Sequence, residues 1–310
     1  MQMKTFPFSK VVEGFLLSLR ARHLSQNTID DYTRTLAKFA RFLADDRPVN
    51  EITPHDIESF FVSLTTLSGK SLLNCYIGLS ALYTWLVKEE IVPVNVVRKL
   101  TPPKAERKEV IPFTESEVKA IMGALNRSKI YRRDGQNVDH ALGSFERNRA
   151  IALLLLDTGL RASELCDLKI EDVDNRTNRI FIHHGKGMKE RLLPFSARTG
   201  QVLWRYIAGR KDAQPGDPLF VSKLNRSITR TKLAETFHNI GLRACVSNVH
   251  PHRFRHTFAI QYLRNGGNAY TLQAMLGHSS LEMVRVYLKL AQIDIDQMHR
   301  HASPVDGWRL

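Results

Sequence analysis

Apolar residues recur at helical spacing through most of the first hundred positions. After the polar start Ser25-Gln26-Asn27, the residues Ile29, Tyr32, Leu36, Phe39 and Leu43 fall on one face, which predicts an amphipathic helix. Thr53-Pro54 opens a second helix, with threonine as cap and proline in the first turn. Its apolar face carries Ile57, Phe60, Phe61 and Leu64. Leu72, Leu73, Tyr76, Leu79, Tyr83 and Leu86 mark a longer third helix. The aromatic positions are read as core, because a helical stripe packs more often than it binds a ligand. The first hundred residues are therefore expected to form a small helical domain.

The pattern breaks at Thr101-Pro102-Pro103-Lys104, where prolines remove backbone donors and hold the chain extended. Residues 101–112 are read as a linker. Thr114-Glu115-Ser116-Glu117 then has the form of a capping box for the first helix of a second domain, 113–310. Residues 127–147 are polar and arginine-rich, with Gly135 and Gly143, and are expected to form an exposed loop. Residues 179–184 and 191–195 have strand character and are joined through Gly185-Lys186-Gly187, a hairpin with a glycine-rich tip. Helical spacing then returns to about residue 301. The expected fold is mainly α with a small antiparallel β-sheet, without internal repeats.

Composition adds a partner class. Of 310 residues, 45 are Lys or Arg and 31 Asp or Glu, a net charge of +14. Residues 1–112 carry 15 basic and 12 acidic side chains, whereas residues 113–310 carry 30 and 19. A cationic second half favours a polyanion such as DNA or RNA, with a merely basic soluble protein as the alternative. Cys75, Cys166 and Cys245 are far apart and lack metal-type pairing, which suits a reducing compartment. Residues 1–10 have no apolar run of signal-peptide length, and residues 150–156 are too short to span a bilayer. A soluble cytoplasmic protein is expected.

Four segments carry candidate chemistry. In Thr158-Gly159-Leu160-Arg161-Ala162-Ser163-Glu164, an apolar helix ends at Gly159 and Arg161 follows. A planar guanidinium there suits phosphate oxygens, with Glu164 to orient it, although Arg–Glu pairs are also common on surfaces. The hairpin tip offers Lys186, either a proton donor to a leaving oxygen or part of a solvated turn. In His250-Pro251-His252-Arg253-Phe254-Arg255-His256, His252 and Arg255 are three apart and share a helical face, while Arg253 and His256 share a neighbouring one. No Cys or carboxylate stands at ligand spacing and the arginines repel a cation, so no metal is expected. Leu276-Gly277-His278-Ser279-Ser280 precedes Tyr287, a side chain able to attack phosphorus once its proton is drawn off.

Together these groups have one logic. Phosphodiester cleavage builds negative charge on the non-bridging and leaving oxygens, and two Arg, one Lys and two His can stabilise it and move protons without a metal. A tyrosine nucleophile keeps the bond energy as a phosphotyrosine, so the strand can be resealed without ATP or another cofactor.

These boxes, in this order and spacing, resemble those of the tyrosine site-specific recombinases and phage-type integrases, most closely the Xer-like and transposon integrase group. The resemblance covers nearly the whole chain. It implies a helical core-binding (SAM-like) DNA-binding domain over 1–100. Over 113–310 it implies a mixed α/β catalytic domain with a C-terminal protomer-exchange tail. It assigns Arg161 and Arg255 to the scissile phosphate, Lys186 to the 5′ oxygen, His252 to the nucleophile's proton and His278 to a phosphate hydrogen bond. Glu164 supports the site, and Tyr287 forms the 3′-phosphotyrosine. One departure stands out: Met283 and Val284 lie near the place where family members often have two threonines.

The resemblance also implies partners: double-stranded DNA with specific recombination sites, a homotetramer that exchanges strands through a Holliday junction, and room for accessory DNA-binding proteins. The host would be bacterial or archaeal, with the protein at the nucleoid. Residues 288–310 are expected to dock on a neighbouring protomer. Three rivals remain at this point: a type IB topoisomerase-like enzyme, an architectural DNA-binding protein with a dead site, and a metal-dependent nuclease.

Overall fold

The computed structural model describes residues 5–105, 111–126, 131–133, 136–138, 144–183, 190–222, 224–278, 280–291 and 305. The chain divides into two compact units, Met1–Glu109 and Val110–Leu310.

The first unit is helical: α1 (Phe8–Ala21), α2 (Gln26–Leu43), α3 (Pro54–Ser63) and α4 (Gly69–Lys88). The starts follow the local chemistry. Ser25 caps α2 by accepting from the Thr28 amide, and Ser68 does the same for α4 from Ser71. Thr53 and Asp56 close a reciprocal capping box on α3, with Pro54 in its first turn. The aromatic stripe packs inward, as Phe39 meets Phe8 and Phe60 edge-on, ring centres 5.4 and 5.0 Å apart. Ile29, Leu36, Leu43, Ile57, Leu79, Tyr83 and Leu86 complete this core.

The second unit begins with α5 (Glu115–Ala124), whose capping box is formed by Thr114 and Glu117. Part of the stretch expected as a loop is instead a short antiparallel pair, β1 (Tyr131–Arg133) with β2 (Gln136–Val138). Alternation in three-residue strands is too brief to read from polar sequence. Helices α6 (Phe145–Thr158) and α7 (Ala162–Asp167) follow. A three-stranded antiparallel sheet comes next, ordered β3 (Val173–Asp174), β4 (Arg179–Ile182) and β5 (Arg191–Pro194). The hairpin expectation holds for β4 and β5, which pair from Arg179↔Pro194 to Ile182↔Arg191. Its glycine-rich tip, 184–189 with Lys186, lies outside the described residues.

Five helices complete the described part of the unit: α8 (Ala197–Ala208), α9 (Arg230–Ala244), α10 (Pro251–Arg264), α11 (Ala269–Leu276) and α12 (Glu282–Ala291). The expected unbroken return to helix is corrected between α8 and α9. There the chain runs irregularly and makes isolated bridges, Lys169 to Pro218 and Val221 to Ser227. The turn-forming Gln214-Pro215-Gly216-Asp217-Pro218 accounts for the break. The core gathers around α6, all of whose Ala150, Ile151, Ala152, Leu154 and Leu155 are fully buried. A smaller cluster joins Phe258, Ile260 and Leu263 of α10 to Leu272 and Leu276 of α11 and to Val284 and Tyr287 of α12. Val284, the departure noted above, is therefore a packing residue.

Candidate active site

The site forms where α6 ends, α10 begins and α11 ends. Gly159 closes α6 in the left-handed conformation, φ +63°. An added Cβ there would meet Phe258 Cδ1 at 2.4 Å and Leu276 Cδ2 at 2.9 Å, so the position suits glycine on two counts. Two residues on, Arg161 takes an extended conformation at the start of α7 and its amide donates to Glu164 Oε2 at 2.8 Å.

Three guanidiniums converge on the end of α11. Arg191 Nε donates to the Met275 carbonyl at 2.9 Å, Arg255 Nη2 to Leu276 at 2.8 Å, and Arg161 Nη2 to Gly277 at 3.2 Å. Three consecutive carbonyls at a helix C-terminus thus face three cations, the sign that the helix dipole favours there. Arg255 Nη1 also donates to the Gly159 carbonyl at 2.7 Å, which ties the end of α6 to the same point.

One carboxylate offsets this charge. Glu164 is 7% exposed; it accepts from Arg161 Nη1 on Oε1 and from Arg191 Nη2 on Oε2, both at 2.8 Å. Burial pushes its carboxyl upward, but the bonds from Arg191 and the Arg161 amide outweigh that and hold it below the usual range. Arg255 is 2% exposed. Burial, then Arg161, lowers it to about 10, so it stays charged at neutral pH.

The rings of the histidines and Tyr287 lie close together. His252 and His256, one turn apart on α10, meet edge-on at 4.5 Å; His256 lies 5.4 Å from Tyr287. His278 stacks on Tyr287 at 6.3 Å and 10°. Arg255 Nη2 lies 2.8 Å from His278 Nε2. A guanidinium only donates, so Nε2 accepts and His278 is neutral with its proton on Nδ1. Consistently, burial followed by Arg255 and Arg161 pushes His278 down to about 4. Burial, His252 and Arg255 lower His256 to about 4 as well. His252 is the most solvent-open of the three. The protein packed around its ring, then Arg255, His250 and Arg161, set it below 6.5. Tyr287 is 5% exposed. Burial raises its phenol, and the neighbouring Arg255 and then Arg161 work against that rise.

The structure thus brings together Arg161, Glu164, His252, Arg255, His278 and Tyr287; Lys186 lies outside the described residues. Arg253 and His256, three apart on α10, make different contacts. Arg253 turns away to Glu117, the Ser247 and Ile111 carbonyls and the Phe113 ring, all structural contacts. His256 instead joins the His252 and Tyr287 face. Sequence reasoning missed both His256 and Arg191. The i, i+4 spacing from His252 is a signal for the first; the second depends on a contact 27 residues away in sequence. Among the described residues no group of three His, Cys, Asp or Glu could hold a metal ion. Tyr270, the tyrosine nearest to Tyr287 in the sequence, is 69% exposed on α11.

Comparisons with known proteins bear on the family and the fold. Residues 111–293 match the phage integrase family model, and residues 11–92 match the N-terminal SAM-like domain of phage integrases. Tyrosine recombinase XerD of Mycobacterium leprae is 28% identical over 306 residues, covering 92% of this chain and 94% of its own. Tyrosine recombinase XerC of Anoxybacillus flavithermus is 29% identical over 298 residues, covering 91% and 93%. The Tn1549 transposon integrase, solved with a circular intermediate DNA, shares the fold with a TM-score of 0.75. That alignment has 20% identity and covers 94% of this chain and 99% of the integrase chain. The chain belongs to the phage integrase family, the tyrosine recombinases.

Proposed function

We propose that the protein is a site-specific DNA recombinase that cleaves and rejoins strands through a 3′-phosphotyrosine and a Holliday junction. The observation that carries the reading is the buried phenol of Tyr287, held beside Arg255 and near the rings of His256 and His278. In cleavage, Tyr287 Oη attacks the phosphorus, its proton passes to His252, and the bond from phosphorus to the 5′ oxygen breaks. Lys186 gives that oxygen a proton. Arg161 and Arg255 stabilise the charge that builds on the non-bridging oxygens, and His278 hydrogen-bonds the phosphate. Glu164 fixes Arg161. Rejoining runs the same steps backwards, with the 5′ hydroxyl of the exchanged strand as nucleophile.

Supporting this reading are the recombinase names of the relatives and the DNA held by the Tn1549 integrase. By the same reading the active assembly on paired sites is a homotetramer, open to accessory DNA-binding proteins. It works at the nucleoid in the cytoplasm of a bacterium or archaeon. Among the described residues no helix is long and apolar enough to cross a membrane.

The test uses target duplexes recovered by selection from a random pool and placed twice in one supercoiled plasmid. The expected result is exchange between the sites, unaffected by EDTA. Relaxation without exchange would favour a topoisomerase-like enzyme, and loss of cutting in EDTA a metal-dependent nuclease.

A further inference from the structure

The phenol of Tyr287 must shed its proton to act as a nucleophile, and its surroundings narrow the choice of acceptor. Arg255 and Arg161 are the cations that act on it, but a guanidinium carries donors only. His278 stacks on the phenol ring. Its Nε2 already accepts from Arg255 at 2.8 Å and its own proton sits on Nδ1, so neither nitrogen is open to another proton. Among the described residues, His256 is the other ring packed against Tyr287, with centres 5.4 Å apart. Its Nδ1 is buried and has no hydrogen-bond partner there. A buried polar atom left without a partner costs its desolvation in full. If packing were all that position 256 had to do, a phenylalanine would fill it without that cost.

His256 also meets His252 edge-on, with centres 4.5 Å apart. The two stand four residues apart on α10, so the helix itself fixes their separation. Exposure rises along the series: Tyr287 is 5% exposed, His256 half-buried and His252 exposed. Burial, then His252, Arg255, His250 and His278, push His256 down to about 4, so at neutral pH its ring is uncharged and able to accept. A scissile phosphate brought against Arg161 and Arg255 adds negative charge nearby and raises the basicity of that ring at the moment of attack. We propose that His256 relays the nucleophile's proton. Tyr287 Oη passes its proton to His256 Nδ1 and keeps the electron pair that bonds to phosphorus, while the 5′ oxygen leaves with the pair of the broken bond. The proton on His256 Nε2 then goes to His252 and on to solvent, so His256 ends neutral. This rests on the reading of Tyr287 as nucleophile and of His252 as the group that receives its proton.

The test is single-turnover cleavage of the selected duplex by the full chain, read as adduct formed on Tyr287. His256→Phe keeps a ring and loses both nitrogens. It is expected to slow cleavage by ~10²-fold while keeping duplex affinity and the denaturant midpoint. His256→Ala is expected to be as slow and to recover by ~10-fold or more in added imidazole, but not in pyrazole, a ring of the same size and far weaker basicity. A role in packing alone predicts equal recovery from the two rings. The relay is wrong if His256→Phe cleaves at the wild-type rate, or if imidazole restores His256→Ala no better than pyrazole does. If His256→Ala does not fold, His256→Phe decides: slow cleavage with intact binding supports the relay, and the wild-type rate overturns it. Wild-type protein that carries DNA on a residue other than Tyr287 overturns the nucleophile and the relay with it, whereas full-rate cleavage by His256→Phe removes the relay alone.

Discussion

Arg255 and Arg161 sit on the same helix end but in different surroundings. Arg255 is sealed among the Gly159 and Leu276 carbonyls and His278, whereas the Arg161 side chain keeps 28% of its surface. Arg161→Ala is therefore the cleaner test of charge stabilisation, because it opens no buried cavity. It is expected to slow cleavage by ~10²–10³ with site binding largely kept, measured by single-turnover kinetics on preformed complexes. The histidines make a second prediction. If His252 takes the phenol proton it must be neutral, and its lowered pKa keeps it so to a lower pH than a free histidine. His278, at about 4, stays neutral through the same range. The acid limb of the cleavage rate is thus expected below pH 6.5, and a limb above that value would contradict the assignment. Tyr287, Arg161, His252, Arg255 and His278 were legible in the sequence because each stands in a short local box. Arg191 was not, because its role arises from hairpin register and from Glu164, far along the chain.

At the scale of elements, the site depends on how closely the end of α6 approaches α10 and α11. Gly159 meets this with a positive φ and no Cβ, while its carbonyl accepts from Arg255. Gly159→Ala must accommodate both a left-handed backbone and a collision with Phe258 and Leu276. It is expected to cost roughly 2–5 kcal/mol in denaturant unfolding. Helix starts were easy to read, since Thr53, Thr114 and Ser25 announce themselves through the residue three positions on. The short strands β1, β2 and β3 were not, because two or three residues carry no measurable alternation. The C-terminal stretch expected to dock on a neighbour lies, from residue 292 on and apart from Val305, outside the described residues.

At the scale of the whole molecule, charge and chemistry coincide. Residues 113–310 carry 30 basic and 19 acidic side chains, and they include every group proposed to act on the phosphate. Affinity for the target duplex is expected to fall by roughly 10³-fold or more between about 50 and about 200 mM salt, read from binding isotherms, as counterions released by phosphate contacts oppose binding. A weak salt dependence would contradict extensive phosphate contact. The family assignment fixes the class of reaction and leaves the identity of the target sequence to selection experiments. Whether the chemistry is covalent through Tyr287 can be decided directly. Wild-type protein incubated with labelled target duplex and then denatured is expected to carry DNA on Tyr287, identified by peptide mass. Tyr287→Phe is expected to bind the same duplex and yield no adduct. A covalent complex persisting in the phenylalanine variant would contradict the assignment and move the nucleophile to another residue.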